Sequence, residues 1–189
     1  MSVTRAMMTS DKRIMCRERK NILITGPPGI GKTTLIKILS GKLPHSHSAG
    51  FYTEEIREKG VRKGFALMSL NGAKSILSHV DIKGPYRIGK YGVDVTNFEK
   101  FLDTLSFLKP ETDLIIVDEI GKMECFSGKF KKLVMQLLDS RKSVIATIAY
   151  AGEGFIEAVK RRDDVKLFVM TQINRDALAS EILKWSKVS

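Results

Sequence analysis

The chain has 189 residues, of which 43% are hydrophobic. This length suits one α/β domain with a substantial core and is too short for two domains of ordinary size. The net charge of +11 would also suit a nucleic-acid-binding protein, but the lysines and arginines are spread over many turns and are not interleaved with aromatic residues. We therefore interpret the charge as a solvated basic surface that attracts small polyanions, and a dedicated nucleic-acid groove is not favoured.

Residues 1–20 are basic and polar and show no sustained periodicity, so we expect a disordered leader ahead of one domain that spans residues 21–189. The leader lacks the apolar stretch of about 7–15 residues that a secretory signal contains. The longest aliphatic run, Leu114–Val117, is far shorter than the roughly 20 residues that a bilayer-spanning helix requires. These features predict a cytoplasmic protein with no membrane partner, and we expect a monomer.

The first elements are predicted to be a strand, a turn and a helix. Asn21–Thr25 is a short apolar run that predicts a strand, a glycine-rich turn follows, and Lys32–Leu43 predicts a helix. The predicted buried stripe of this helix consists of Leu35, Ile36, Ile38 and Leu39. Two further runs, Gly50–Ile56 and Val61–Leu70, flank a Lys59-Gly60 turn and predict an antiparallel hairpin at an edge of the sheet.

Helices and strands alternate in the rest of the chain. Asn97–Leu108 predicts a helix because Phe98, Phe101, Leu102, Leu105 and Leu108 recur at helical spacing. Leu114–Val117 is continuously apolar, which is typical of a parallel strand that is covered on both faces. The remaining predicted elements are a helix at 126–139, a strand at 143–148, a helix at 155–162, a strand at 165–170 and a helix at 174–185. This alternation predicts an α/β fold with an open, mainly parallel sheet.

The glycine-rich turn matches the pattern G-x-x-x-x-G-K-[ST] from Gly26 to Thr33. Glycines let the backbone curl so that its N–H groups converge on phosphate oxygens, and Lys32 neutralises charge on the β- and γ-phosphates. The hydroxyl of Thr33 is predicted to bind Mg²⁺, and the following helix directs its positive end at the same anion. The predicted nucleotide-binding residues of this loop are Gly26, Pro27, Pro28, Gly29, Ile30, Gly31, Lys32, Thr33 and Thr34. The alternative, a purely structural turn, has no use for a lysine at this position.

Two carboxylates, Asp118 and Glu119, come directly after the apolar strand 114–117. Neither could be buried cheaply without a cation or a hydrogen-bond partner. We predict that Asp118 serves Mg²⁺ together with Thr33, and that Glu119 orients or deprotonates the attacking water. Ile120 and Gly121 are assigned to the same nucleotide-binding segment. Of the charged residues that follow, Lys122 is the candidate for a cation that stabilises the transition state, and Glu124 is the weaker candidate.

Three segments carry a resemblance to a known family: Gly50–Glu55, the run D-E-I-G-K-M-E at Asp118–Glu124, and Asn174–Asp176. They resemble the signature segments of the thermophilic-type and cancer-related nucleoside-triphosphatases, over roughly Asn21 to Trp185. The resemblance implies a three-layer RecA-like or kinase-like P-loop sheet and dependence on Mg²⁺. It also implies hydrolysis of ATP, GTP, CTP and UTP to diphosphate and phosphate with little base preference. In agreement, the chain contains no N-K-x-D sequence of the kind found in guanine-specific proteins.

Two other functions remain open at this point. A small-molecule or nucleic-acid 5′-kinase would use the same phosphate loop but would carry an arginine-rich lid, for which the Arg57–Arg62 hairpin is the nearest candidate. A basic ATPase that depends on RNA or DNA would release phosphate faster with polynucleotide, and this stimulation would fall as salt rises.

Overall fold

The computed structural model describes residues 21–42 and 47–186. The predicted leader at residues 1–20 lies outside the described residues. Within them, one nine-stranded sheet carries all the strands, and none of their helices is both long enough and apolar enough to cross a membrane.

The strands and helices follow one another in an α/β order. The strands are β1 Asn21–Thr25, β2 Ser48–Glu58, β3 Val61–Ser69, β4 Lys74–His79, β5 Arg87–Ile88, β6 Tyr91–Val93, β7 Leu114–Ile120, β8 Ser143–Ile148 and β9 Val165–Val169. The helices are α1 Lys32–Lys42, α2 Val95–Asp103, α3 Gly128–Asp139, α4 Phe155–Lys160 and α5 Arg175–Ser186, and a 3₁₀ turn spans Glu124–Phe126. The α/β fold predicted from the sequence is confirmed.

The sheet has a parallel part and an antiparallel part. Its strand order is β5-β6-β4-β3-β2-β7-β8-β1-β9, and the five strands from β2 to β9 run parallel. The β2–β3 hairpin begins the antiparallel part, which continues through β4, β6 and β5 to the edge of the sheet. The predicted hairpin is therefore present, but three further strands lie outside it. Two of them are only two and three residues long, too short for an alternating pattern to reveal them.

Helices α1 and α2 differ in the structure from what the sequence pattern predicts. Helix α1 buries Leu35, Ile36 and Leu39, but Ile38 is 42% exposed, so its assignment to the buried stripe was wrong. Helix α2 begins two residues early, where the Asp94 side chain accepts a hydrogen bond from the Asn97 N–H. It ends at Asp103, and Leu108, predicted to lie on its apolar face, is 59% exposed.

The hydrophobic core lies on both faces of the sheet, which makes the fold three-layered. On one face Phe51 of β2 packs edge-on against Phe98 of α2, with ring centroids 5.9 Å apart. On the other face α1 and α5 cover the parallel strands, with Leu39 and Ile182 fully buried. Each side chain of this size stabilises the fold by about 1.5–3 kcal/mol when it is buried.

This packing fixes the sheet edge at which the site forms. Parallel strands present their carboxyl ends at one edge, where ligands of open α/β sheets bind. The turn after β1 and the acidic pair of β7 therefore lie at the same edge, separated by β8.

Candidate active site

The turn between β1 and α1 has a conformation that requires glycine. Gly29 and Gly31 have φ angles of 75° and 111°, in the left-handed region that disfavours other residues. A Cβ atom on Gly26 would stand 2.6 Å from the carbonyl oxygen of Met170, which no side chain could tolerate. The turn therefore passes close to the end of β9, and the first turn of α1 follows it directly.

Lys32 opens helix α1 and is held inside this turn. Its side chain is 9% exposed, and its Nζ donates to the carbonyl oxygen of Gly26 at 3.1 Å. The same Nζ lies 3.7 Å from Oε2 of Glu119 at the end of β7. The lysine ammonium thus stands between the glycine-rich turn and the acidic pair.

Asp118 is fully buried and accepts hydrogen bonds from three threonines on three different elements. Thr33 of α1 donates to Oδ2 at 2.7 Å, Thr147 of β8 donates to Oδ1 at 2.5 Å, and the Thr53 hydroxyl of β2 lies 3.3 Å from Oδ2. All three donors are neutral, and no ion pair to Asp118 occurs within residues 21–42 and 47–186. A buried carboxylate in this state favours a cation beside it.

No pattern in the sequence assigns a role to Thr53 or Thr147. For Thr147 the available signal is a threonine close to the carboxyl end of an otherwise apolar strand, in the β8 sequence S-V-I-A-T-I. A buried hydroxyl in such a position needs a hydrogen-bond partner, but the sequence does not say which one.

Glu119 occupies a different environment from its neighbour. Its side chain is 31% exposed and lines the cleft at this edge of the sheet. Burial raises the pKa of the Glu119 carboxyl, Lys32 opposes this increase, and the charge of Asp118 adds to it. Such a carboxylate is a stronger base than an exposed one.

Glu124, the weaker candidate in the sequence analysis, lies beside Glu119 in the structure. It is 5% exposed, and burial raises the pKa of its carboxyl to about 8. A Cβ on Gly121 would stand 2.7 Å from Oε2 of Glu124 and 3.3 Å from Oε1 of Glu119. The absence of a side chain at residue 121 therefore makes room for both carboxyl groups.

One cleft of 980 Å³ is lined by Lys32, Glu119 and Glu124, whereas Asp118 is buried beneath it and does not line it. Of the residues predicted from the sequence, the cleft is lined by Gly26, Pro28, Gly29, Gly31, Lys32, Thr33, Thr34, Glu119, Gly121 and Lys122. Lys122 is exposed at its rim. The side chains of Ile30 and Ile120 instead pack into the core on opposite faces of the sheet, so only their main chain could contact a ligand.

This turn, its lysine and the buried aspartate on a parallel sheet place the chain in the class of P-loop NTPases. Comparison with known proteins is more specific: the model of a family described as NTPase matches residues 21–183. The chain belongs to this nucleoside-triphosphatase family.

Relatives in both bacteria and animals support this membership. Over 163 residues the chain is 50% identical to nucleoside-triphosphatase THEP1 of Thermotoga petrophila, covering 86% of this chain and 90% of that protein. It is 37% identical to the human cancer-related nucleoside-triphosphatase, covering 87% of this chain and 95% of that protein. The crystal structure of THEP1 from Aquifex aeolicus superposes with a TM-score of 0.76 at 35% identity, covering 87% of this chain and 98% of that one.

Proposed function

We propose that this protein hydrolyses nucleoside 5′-triphosphates to the diphosphate and phosphate, with Mg²⁺ and with little preference for the base. The observation that supports this most directly is that two residues of the phosphate loop each lie close to one member of the acidic pair. Thr33 lies 2.7 Å from Asp118, and Lys32 lies 3.7 Å from Glu119. A triphosphate held by the turn would have its β- and γ-phosphates beside all four residues.

The residues present fit a magnesium ion. Mg²⁺ prefers oxygen ligands and usually binds proteins through one or two carboxylates together with substrate phosphates. The Thr33 hydroxyl and the buried Asp118 carboxylate provide such oxygens, and the three side-chain donors to Asp118 in the described part of the chain are neutral. When bound, Mg²⁺ neutralises charge that develops on the β- and γ-phosphate oxygens. Thr53 and Thr147 hold the Asp118 carboxylate in place for this role.

Glu119 is the residue that we assign to the attacking water. Its carboxylate faces the cleft next to the ammonium of Lys32, where the γ-phosphate would lie. In the reaction the water oxygen forms a bond to the γ-phosphorus, Glu119 takes its proton, and the bond to the β–γ bridging oxygen breaks. Lys32 and the exposed Lys122 stabilise the negative charge of the transition state.

The weak base preference is supported by the state of Asn174. Its amide group donates to the Val169 carbonyl at 2.9 Å and accepts from the Thr171 N–H at 2.8 Å, so it is committed to its own turn. The neighbouring Arg175 lies 3.5 Å from Asp176 on the surface. This segment therefore serves the fold at the start of α5 and provides no guanine-reading pair.

The decisive experiment measures phosphate release from ATP, GTP, CTP and UTP, each with and without Mg²⁺. We expect release from all four that requires the metal. Lys32→Ala should abolish it, and Glu119→Gln should slow it by about 10²–10⁴-fold while sparing nucleotide binding. A Glu119→Gln protein that hydrolyses ATP at the parental rate would refute the assignment of the base.

A further inference from the structure

The cleft extends well past the phosphate-binding residues into a recess in the antiparallel part of the sheet. We define the recess by six cleft-lining residues: Arg62, Phe65, Leu77, Ile88, Met123 and Glu124. Phe65 and Leu77 come from β3 and β4, Ile88 from β5, and the last two from the segment after the acidic pair. No residue of the phosphate loop belongs to it.

The recess is a built pocket with apolar walls and polar groups at defined places. Leu77 is 1% exposed, and Phe65, Ile88 and Met123 are half-buried. Arg62 lies over the Phe65 ring, and Tyr91 packs edge-on against the same ring with centroids 5.7 Å apart. A total volume of 980 Å³ is at the upper end of the roughly 300–1,000 Å³ that small-molecule sites occupy. The cleft therefore has room for more than a triphosphate chain.

Two polar side chains are fixed at this pocket. The buried carboxyl of Glu124 lies beside Gly121, next to Glu119. Arg62 is held by Tyr91 at 3.0 Å and by Glu55 at 2.8 Å, and its guanidinium lies 5.2 Å from the centroid of the Phe65 ring. Arg62 belongs to the β2–β3 hairpin, in which the sequence pattern indicates the nearest candidate for an arginine-rich lid.

A triphosphate bound in the phosphate loop would point its γ-phosphate toward this recess. Loop amides hold the α- and β-phosphates and the lysine reaches the β- and γ-phosphates, so the γ-phosphate lies toward Glu119. Carboxyl oxygens of Glu119 and Glu124 both lie within 3.3 Å of the position that a Cβ on Gly121 would take. A molecule in the recess would therefore lie on the far side of the γ-phosphate from the nucleoside.

We propose that the recess binds a second substrate, a nucleoside-sized molecule with a planar ring and a hydroxyl group, and that the γ-phosphoryl group is transferred to this hydroxyl. The inference rests on the triphosphate site proposed above. Phe65 offers a ring for stacking, Glu124 and Arg62 offer hydrogen bonds to a polar edge, and a nucleoside combines such an edge with a primary alcohol.

Transfer uses the same groups as hydrolysis. The acceptor oxygen forms a bond to the γ-phosphorus, its proton goes to the Glu119 carboxylate, and the bond to the bridging oxygen breaks to leave the nucleoside diphosphate. Water and the alcohol compete for the position in front of Glu119. A bound and aligned alcohol has the advantage of high effective concentration.

The test uses the full chain with Mg²⁺ and ATP whose γ-phosphate carries a radioactive label. Adenosine, guanosine, cytidine and uridine are added singly, and free phosphate is separated from labelled nucleoside 5′-monophosphate. We expect at least one nucleoside to be phosphorylated. Ile88→Trp, which fills the recess, should lower this transfer by about tenfold or more while phosphate release continues. The matched control is Ile76→Trp on β4, an exposed residue outside the cleft, which should change neither product.

A binding measurement makes the test independent of turnover. Calorimetric titration of the same nucleosides into protein loaded with Mg²⁺ and a non-hydrolysable ATP analogue should show binding that Ile88→Trp removes and Ile76→Trp retains. Phosphate release with no labelled monophosphate and no binding would overturn this inference alone. Absence of both phosphate release and transfer would overturn the proposed hydrolysis and the recess proposal with it. Equal loss in the two tryptophan variants would also count against the recess.

Discussion

The hydroxyl of Thr147, at the end of β8, donates a 2.5 Å hydrogen bond to Oδ1 of Asp118, at the end of the neighbouring β7. Both residues are fully buried. Asp118 thus has one oxygen fixed by β8, while its other oxygen accepts from Thr33 of the phosphate loop and lies 3.3 Å from the Thr53 hydroxyl of β2. Oδ2 and the Thr33 hydroxyl together form the proposed magnesium position.

Thr147→Val should weaken both the fold and the metal site, because it leaves one oxygen of a buried carboxylate without its donor. We expect a loss of about 1–3 kcal/mol in the free energy of unfolding, measured with urea. Mg²⁺ affinity in the presence of a non-hydrolysable nucleotide should fall as well. Thr147→Ser keeps the hydroxyl and should retain most of the metal affinity. If the valine variant binds Mg²⁺ like the parent, Thr147 does not position Asp118.

Gly121→Ala should reduce phosphate release by roughly 10- to 100-fold, because the new methyl group would stand 2.7 Å from a Glu124 oxygen and displace both glutamates. Gly128→Ala is the matched control: a Cβ there meets nothing within 4 Å, and the residue begins α3. Steady-state rates of the two purified variants check this prediction. Equal activities would show that the space above Gly121 is not needed for catalysis.

Glu124 predicts how stability depends on pH. Burial raises the pKa of its carboxyl from 4.5 to about 8, so the folded chain keeps a proton that the unfolded chain releases between these values. The contribution of Glu124 to the free energy of unfolding is fully present below the pKa of the unfolded chain. It is lost as pH rises through the pKa of the folded chain. The free energy of unfolding should fall between pH 5 and 8 by up to about 1.4 kcal/mol per pH unit from this group.

Urea unfolding of the metal-free protein across this pH range provides the measurement. Glu124→Gln mimics the protonated carboxyl and should flatten the profile. Glu111→Gln, on the surface, is the control and should leave the slope unchanged. A slope that survives in the Glu124 variant would mean that another group carries it.

Lys122→Ala tests the proposed second cation. Because Lys122 is exposed at the rim of the cleft, its removal should leave folding intact. We expect kcat to fall by roughly 100-fold and the affinity for a non-hydrolysable analogue to change little, since the charge acts mainly in the transition state. Lys83→Ala removes an exposed lysine from outside the cleft and serves as the control. A variant that loses affinity but keeps kcat would place Lys122 in ground-state binding instead.

Local patterns were enough to predict the phosphate loop and the acidic pair. The strand β1 was predicted with the bounds that the structure shows, and so was β8. The loop needs glycines, a lysine and a threonine at fixed spacing, and one short segment contains all of them. Strand β7 was also found, although it continues through the acidic pair to Ile120.

The partners of those residues were decided only by the tertiary structure. Thr53 and Thr147 lie 65 and 29 residues from Asp118 along the chain, and they meet it because β2, β7 and β8 are neighbours in the sheet. Glu124 follows Glu119 closely in sequence, yet its burial depends on the core beneath the 3₁₀ turn.

The sequence by itself thus determined where the glycine-rich loop and the acidic pair lie, since a single turn or strand end contains each of them. The tertiary structure decided which side chains surround them and how far the cleft extends, since both depend on strand order and on the short strands β5 and β6. The physical reason is that hydrogen bonds between strands act at any sequence separation, whereas periodicity reports only the burial of one element at a time.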